Sequence, residues 1–148
     1  MTLTNHLLTG SLLAKLLPLP LAILLAFCSH FVLDALPHFG LEDIGRTKRR
    51  KTLWVGVLVL DAIVAISLAI WLVVTGHYTW LLTGLVAFSP DLAWIYRFIF
   101  KEGLGKSPLA RGTGNRLSRF HANIQKYERG WGGIVEVVYA IVIFSVIR

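Results

Sequence analysis

The chain holds one cysteine, Cys28, and only eight acidic residues in 148. A single cysteine excludes an internal disulfide and any cysteine-based metal cluster, and its place in an apolar run marks it as a packing residue. Charged residues of both signs make up 16% of the chain against 55% hydrophobic, and the mean hydropathy is +0.67. That is too little charge for a soluble domain of this length, so residues 1–148 read as one integral-membrane domain. The sequence shows neither an internal repeat nor a low-complexity tract. It also lacks a basic n-region followed by a short apolar run and a small-residue cleavage site, so the first helix is expected to stay in the protein.

What charge there is leans one way, to a net +7 and a pI near 10.0. Such a balance suits nucleic acid, but the basic residues lie between apolar runs, and membrane lipids are the expected partner instead. The fold class implied is all-α: an integral membrane bundle of four to five helices with an interfacial amphipathic helix. Residues 2–17 form a short helix with Thr4 or Asn5 as N-cap and with Gly10 and Ser11 for close packing. At about 23 Å it is shorter than a ~30 Å hydrocarbon core, so it spans marginally or is partly re-entrant. Pro18 and Pro20 force a turn, and residues 21–38 follow as a helix stopped near Pro37 and Gly40. Residues 53–74, 80–100 and 130–147 read as further spans, the second broken by Pro90. Residues 101–114 are a Gly-rich basic loop matching no phosphate-loop pattern, and 115–127 suit an interfacial helix.

If the helices alternate in direction, thirteen of the fifteen Lys and Arg fall in residues 39–52 and 97–129, on one side of the bundle. The positive-inside rule makes that side cytoplasmic.

Within the second apolar run, His30 and Asp34 stand four residues apart, on one helical face and one turn from each other. Ionisable groups at membrane depth are costly unless they are paired, metal-bound or facing water, so a functional site is the default reading. Counting residues in from the basic side brings His6, Asp61, Asp91 and the interfacial His121 to similar depth, while His77 falls on the other side. A set of His6, His30, Asp34, Asp61, Asp91 and His121 is all imidazole and carboxylate, which suits Zn first and also Mn, Fe or Mg. Six groups exceed the need of one tetrahedral ion, so either some support the ligands or two ions share the site. Gln125 and Glu128 continue one face of the interfacial segment and can contact substrate or act as base.

Plainer readings stand beside these. The His30 and Asp34 pair can be a hydrogen-bonded couple joining helices. Asp61 can pair with Lys15, Arg97 or a hydroxyl, Asp91 can cap a helix restarted after Pro90, and His38 can be a loop residue near the headgroups.

The stretch Asn5-His6-Leu7-Leu8, followed by His30-Phe31-Val32-Leu33-Asp34-Ala35-Leu36-Pro37-His38, resembles the bacterial membrane-bound metal-dependent hydrolase family. These are small inner-membrane proteins distantly similar to zinc-dependent phospholipase C. Pro90-Asp91 and Phe120-His121 extend the likeness over most of the chain. Many members carry a fuller Pro-Asp-x-Asp-His signature and a His-Arg-Gly-x-x-His-Ser signature. Here the sequence reads Ser89-Pro90-Asp91-Leu92-Ala93-Trp94, with no second histidine beside His121, so the chain resembles a reduced subgroup.

The expectation is therefore a multi-pass protein of the bacterial inner membrane, hydrolysing a phosphoester or ester of a lipid-like or small-molecule substrate on the cytoplasmic side. His6, His30, Asp34, Asp91 and His121 would bind the divalent metal, with Asp61, Glu128 and Gln125 in catalytic roles. The alternative is a non-enzymatic metal- or proton-binding or transport protein. A haem bundle is a third reading, disfavoured by the carboxylates.

Overall fold

In a computed structural model, which describes residues 1–39, 48–97, 119–120, 123–124, 127 and 129–148, the described residues form five helices and no strand. They are α1 (Leu3–Leu16), α2 (Leu19–Asp34), α3 (Lys48–Val74), α4 (Tyr78–Arg97) and α5 (Gly132–Ile147). The described residues adopt the all-helical class expected from the sequence. The interfacial helix expected over residues 115–127 lies largely outside the described residues.

Element ends follow local chemistry. Pro18 caps α2 and Pro20 sits in its first turn, where a missing N–H costs nothing. The same helix stops at Asp34, short of the 21–38 run, because Pro37 disfavours helical backbone at Leu36, and the last turn tightens with Leu36 N–H donating to the Leu33 carbonyl. α3 ends in a Schellman motif: Gly76, at φ +77°, donates to Val73 while His77 donates to Leu72.

α1 is the hub, packing on each of the other four helices. Eight consecutive residues, Thr4 to Ser11, are buried, so no side of this segment is left outward. α1 is thus the central helix of the bundle. Its polar residues are what allow this, since small hydroxyls let backbones approach and bond to nearby carbonyls. Ser11 Oγ donates to the carbonyls of Leu7 and Trp80, and Thr9 Oγ1 to that of Asn5 while meeting Tyr139 Oη. Gly10 lies against the Thr83 carbonyl and Gly84, and Gly84 lies beneath Leu7, so a Cβ at either glycine would collide with the neighbouring helix.

The first turn of α1 is capped from outside. Thr2 is the N-cap, in place of Thr4 or Asn5, and makes no side-chain cap bond. Instead Thr2 N–H donates to Glu136 Oε1 of α5 (2.9 Å), and Leu3 and Thr4 N–H donate to the two oxygens of Asp61 on α3 (2.8 and 3.1 Å). Two carboxylates thus take up the orphan amides at the positive end of the helix dipole.

The outside is the reverse of the centre. Large apolar side chains project outward along α2 (Leu24, Phe27), α3 (Leu60, Ile63, Ile70) and α5 (Ile134, Val137, Ile141). Within α3, Val55–Val74 is long and apolar enough to cross a membrane.

Candidate metal centre

His6 lies one turn into α1, and His30 and Asp34 lie on the last turns of α2, where the i, i+4 spacing turns both toward α1. All three are 0% exposed. The imidazoles stack with ring centroids 4.3 Å apart and 24° between planes. His6 Nε2 is 3.2 Å from Asp34 Oδ1, and His30 Nε2 is 3.3 Å from Asp34 Oδ2. Each of the three offers a ligand atom, and these atoms lie within 4.8 Å of one another. Asp91, following Pro90 in α4, joins them with Oδ2 4.0 Å from His6 Nε2 and Oδ1 3.7 Å from His30 Nε2. Its side chain is 17% exposed.

The residues fit a cation on two observations. His6 is fully buried, yet neither ring nitrogen has a hydrogen-bond partner among the described residues, although Nε2 faces a carboxylate. A buried polar group left so is costly, and a metal–nitrogen bond removes that cost. His30 is oriented for the same purpose: its Nδ1–H donates to the Ala87 carbonyl (3.0 Å), which leaves the Nε2 lone pair directed at the carboxylates. Pro90 bears on that contact. It has no N–H for the Val86 carbonyl, which accepts from Ser89 Oγ instead (2.8 Å), and the next carbonyl along is the one His30 uses.

Positive charge already stands at the cluster in the Met1 ammonium, which donates to Asp34 Oδ1. Burial works against the charged amine, but Asp34, then Glu136 and Asp91, more than offset it and hold its pKa above the ordinary amino-terminal value.

Of the residues expected at the site, His6, His30, Asp34 and Asp91 come together. Asp61 does not face the imidazoles in the way Asp34 does: both its oxygens take amides of α1, and its own backbone carbonyl accepts from Thr4 Oγ1 (3.2 Å). His121, Gln125 and Glu128 lie outside the described residues. His77 stacks on Trp80 at the other end of α4 (4.1 Å). His38 is buried, its Nδ1 bonded to the Leu36 carbonyl, and its own carbonyl accepts from Arg129 N–H, latching the end of α2 to the start of α5.

Two residues were missed. Glu136 is a buried carboxylate in the second turn of an otherwise largely apolar helix, and the rule that singles out His30 and Asp34 finds it equally. Asn5, expected only as a cap, is buried beside His6 with Nδ2 donating to the Glu136 backbone carbonyl and Oδ1 without a partner among the described residues.

No family model, curated protein or solved structure matches the chain.

Proposed function

We propose that this is a multi-pass membrane protein of the inner-membrane hydrolase type its sequence resembles, with a divalent cation, zinc first, held by His6, His30, Asp34 and Asp91 near the cytoplasmic face. The reaction is hydrolysis of a phosphoester or ester in a lipid-like substrate. The observation that carries the reading is buried His6, whose two ring nitrogens have no hydrogen-bond partner among the described residues although Nε2 faces the Asp34 carboxylate. The membrane setting draws support from the inversion of polarity, with polar groups at the centre and apolar side chains outward, and from the 20-residue apolar segment Val55–Val74.

A divalent ion in such a site supplies Lewis acidity, activating water and stabilising charge on a scissile phosphoryl or carbonyl oxygen. The chain's own part is positioning. The Ala87 carbonyl fixes the His30 tautomer, and Asp34 sets both imidazoles at once. Asp91, the one member of the four that is not fully buried, stands on the side open to water and substrate, where its carboxylate can take a proton. Asp61 and Glu136 hold the end of α1 that carries His6.

The transport alternative needs polar groups that continue from the cluster as a relay. Thr9, Ser11 and Thr83 lie along that route, but each hydroxyl is bonded to a carbonyl of its own helix, an arrangement that favours packing over conduction.

The test is the full chain purified in detergent, with metal content measured directly and melting followed with Zn, Mn or Mg. Bound ion, a raised melting temperature and metal-dependent release from fluorogenic phosphoester or ester amphiphiles are expected. A protein that takes up no ion and whose melting is unmoved by all three would overturn the reading.

A further inference from the structure

We propose that Asn5 is the positioning residue of His6: its Oδ1 receives the His6 Nδ1–H through one buried water, which fixes the ring with Nε2 toward the ion. This rests on the metal-binding reading above and adds the group that orients one of its ligands. The argument starts from the two imidazoles. His6 and His30 both turn Nε2 to Asp34, at 3.2 and 3.3 Å. His30 is held there from behind, since its Nδ1–H donates to the Ala87 carbonyl at 3.0 Å. His6 is just as fully buried, yet no described residue takes its Nδ1. A metal-bound imidazole almost always donates its second ring N–H to a carboxylate, a carbonyl or water, and that contact sets the tautomer and the ring orientation.

Asn5, the residue before His6 on α1, supplies the matching half. It is 1% exposed. Its Nδ2 donates to the Glu136 backbone carbonyl at 3.3 Å, and because that carbonyl can only accept, the orientation of the amide is settled and Oδ1 is the atom left over. Glu136 pins both sides of this stretch, with Thr2 N–H on its Oε1 and Asn5 Nδ2 on its carbonyl, so the amide is in place without an ion. Once Nε2 binds a cation, the ring proton of His6 sits on Nδ1, so His6 brings a donor and Asn5 an acceptor. With Nε2 on the ion, these are the two buried side-chain polar atoms still without a hydrogen bond among the described residues, and they stand on consecutive residues. They do not bond to each other directly. One water that accepts from Nδ1–H and donates to Oδ1 satisfies both.

The full chain in detergent is titrated with Zn by calorimetry as wild type, Asn5→Asp and Asn5→Leu, each first checked by circular dichroism and metal-free melting. Asn5→Asp keeps the acceptor and loses the donor to Glu136, whereas Asn5→Leu loses both. Asn5→Leu is expected to bind Zn about 10–100-fold more weakly, and Asn5→Asp at least as tightly as wild type, although both lose metal-free stability with the Glu136 contact. A purely structural Asn5 would weaken binding alike in the two variants. That result, or an Asn5→Leu that binds as wild type does, overturns the proposal. Should a variant fail to fold, wild type decides by nuclear magnetic resonance, with isotope-labelled histidine and cadmium as the probe ion. Coupling of the ion to His6 Nε2 and a slowly exchanging proton on Nδ1 are expected. Coupling at Nδ1, or an Nδ1 proton exchanging as fast as that of imidazole in water, overturns the role of Asn5 and leaves the metal site standing. A wild-type chain that takes up neither ion overturns both.

Discussion

Asp61, midway along α3, accepts the backbone amide of Leu3 at 2.8 Å across 58 residues of sequence. With Thr4 N–H on its other oxygen, this carboxylate is the N-terminal cap that α1 does not provide for itself. Asp61→Ala leaves two half-buried amides without their acceptors, and stability is expected to fall by about 1–3 kcal/mol. Thermal unfolding in detergent measures it. Metal content at saturating ion should stay at the wild-type value, and a variant that loses its ion while keeping its melting temperature would give Asp61 a place among the ligands.

His6→Leu should separate folding from ion binding in the opposite direction. The imidazole is buried with no hydrogen bond at either nitrogen among the described residues, Nε2 only facing Asp34 Oδ1 at 3.2 Å, and replacing it by an apolar group of similar size removes that penalty. The chelator-treated variant is expected to be more stable than chelator-treated wild type by about 1 kcal/mol, and to gain less on adding metal. Paired melts with and without ion read both effects. A variant less stable than metal-free wild type contradicts the account.

Much of this site was legible because an ionisable residue in an apolar helix is conspicuous, and helical spacing tells which such residues share a face. His30 and Asp34 needed only the i, i+4 rule, and His6 and Asp91 needed only consistent depth from the basic side. Asp61 satisfied the same depth criterion yet faces the amides of α1, since depth fixes the level of a side chain and not its azimuth around the helix. The central position of α1 was hidden for a related reason. Its modest length and hydroxyls suggest a poor membrane span, and the contacts that make them an asset, Gly10 on Thr83 and Thr9 on Tyr139, join residues more than seventy and more than a hundred positions apart.

Pro90 is expected to act on metal affinity through His30. Pro90→Ala restores an N–H for the Val86 carbonyl and releases Ser89 Oγ, which shifts the turn that presents the Ala87 carbonyl to His30 Nδ1. Loss of such an orienting contact weakens metal binding about 10–100-fold. Isothermal titration with Zn measures it, and unchanged affinity would show that the carbonyl position does not depend on the proline.

The crossing of α1 and α4 should be intolerant of bulk. Gly10→Val places carbon atoms into the Thr83 carbonyl and Gly84, both backbone and unable to swing aside. A loss of about 1–3 kcal/mol or more is expected, whereas Gly56→Val, where a Cβ meets nothing within 4 Å, should be neutral. Parallel denaturation curves of the two variants provide the comparison.

The enclosure of α1 has a bearing on biogenesis. Thr4 to Ser11 are enclosed by packing against all four other helices, so this segment has its final surroundings only once those helices are in place. His6 arrives with it. The His6, His30 and Asp34 group is therefore complete only where α1 is seated against α2.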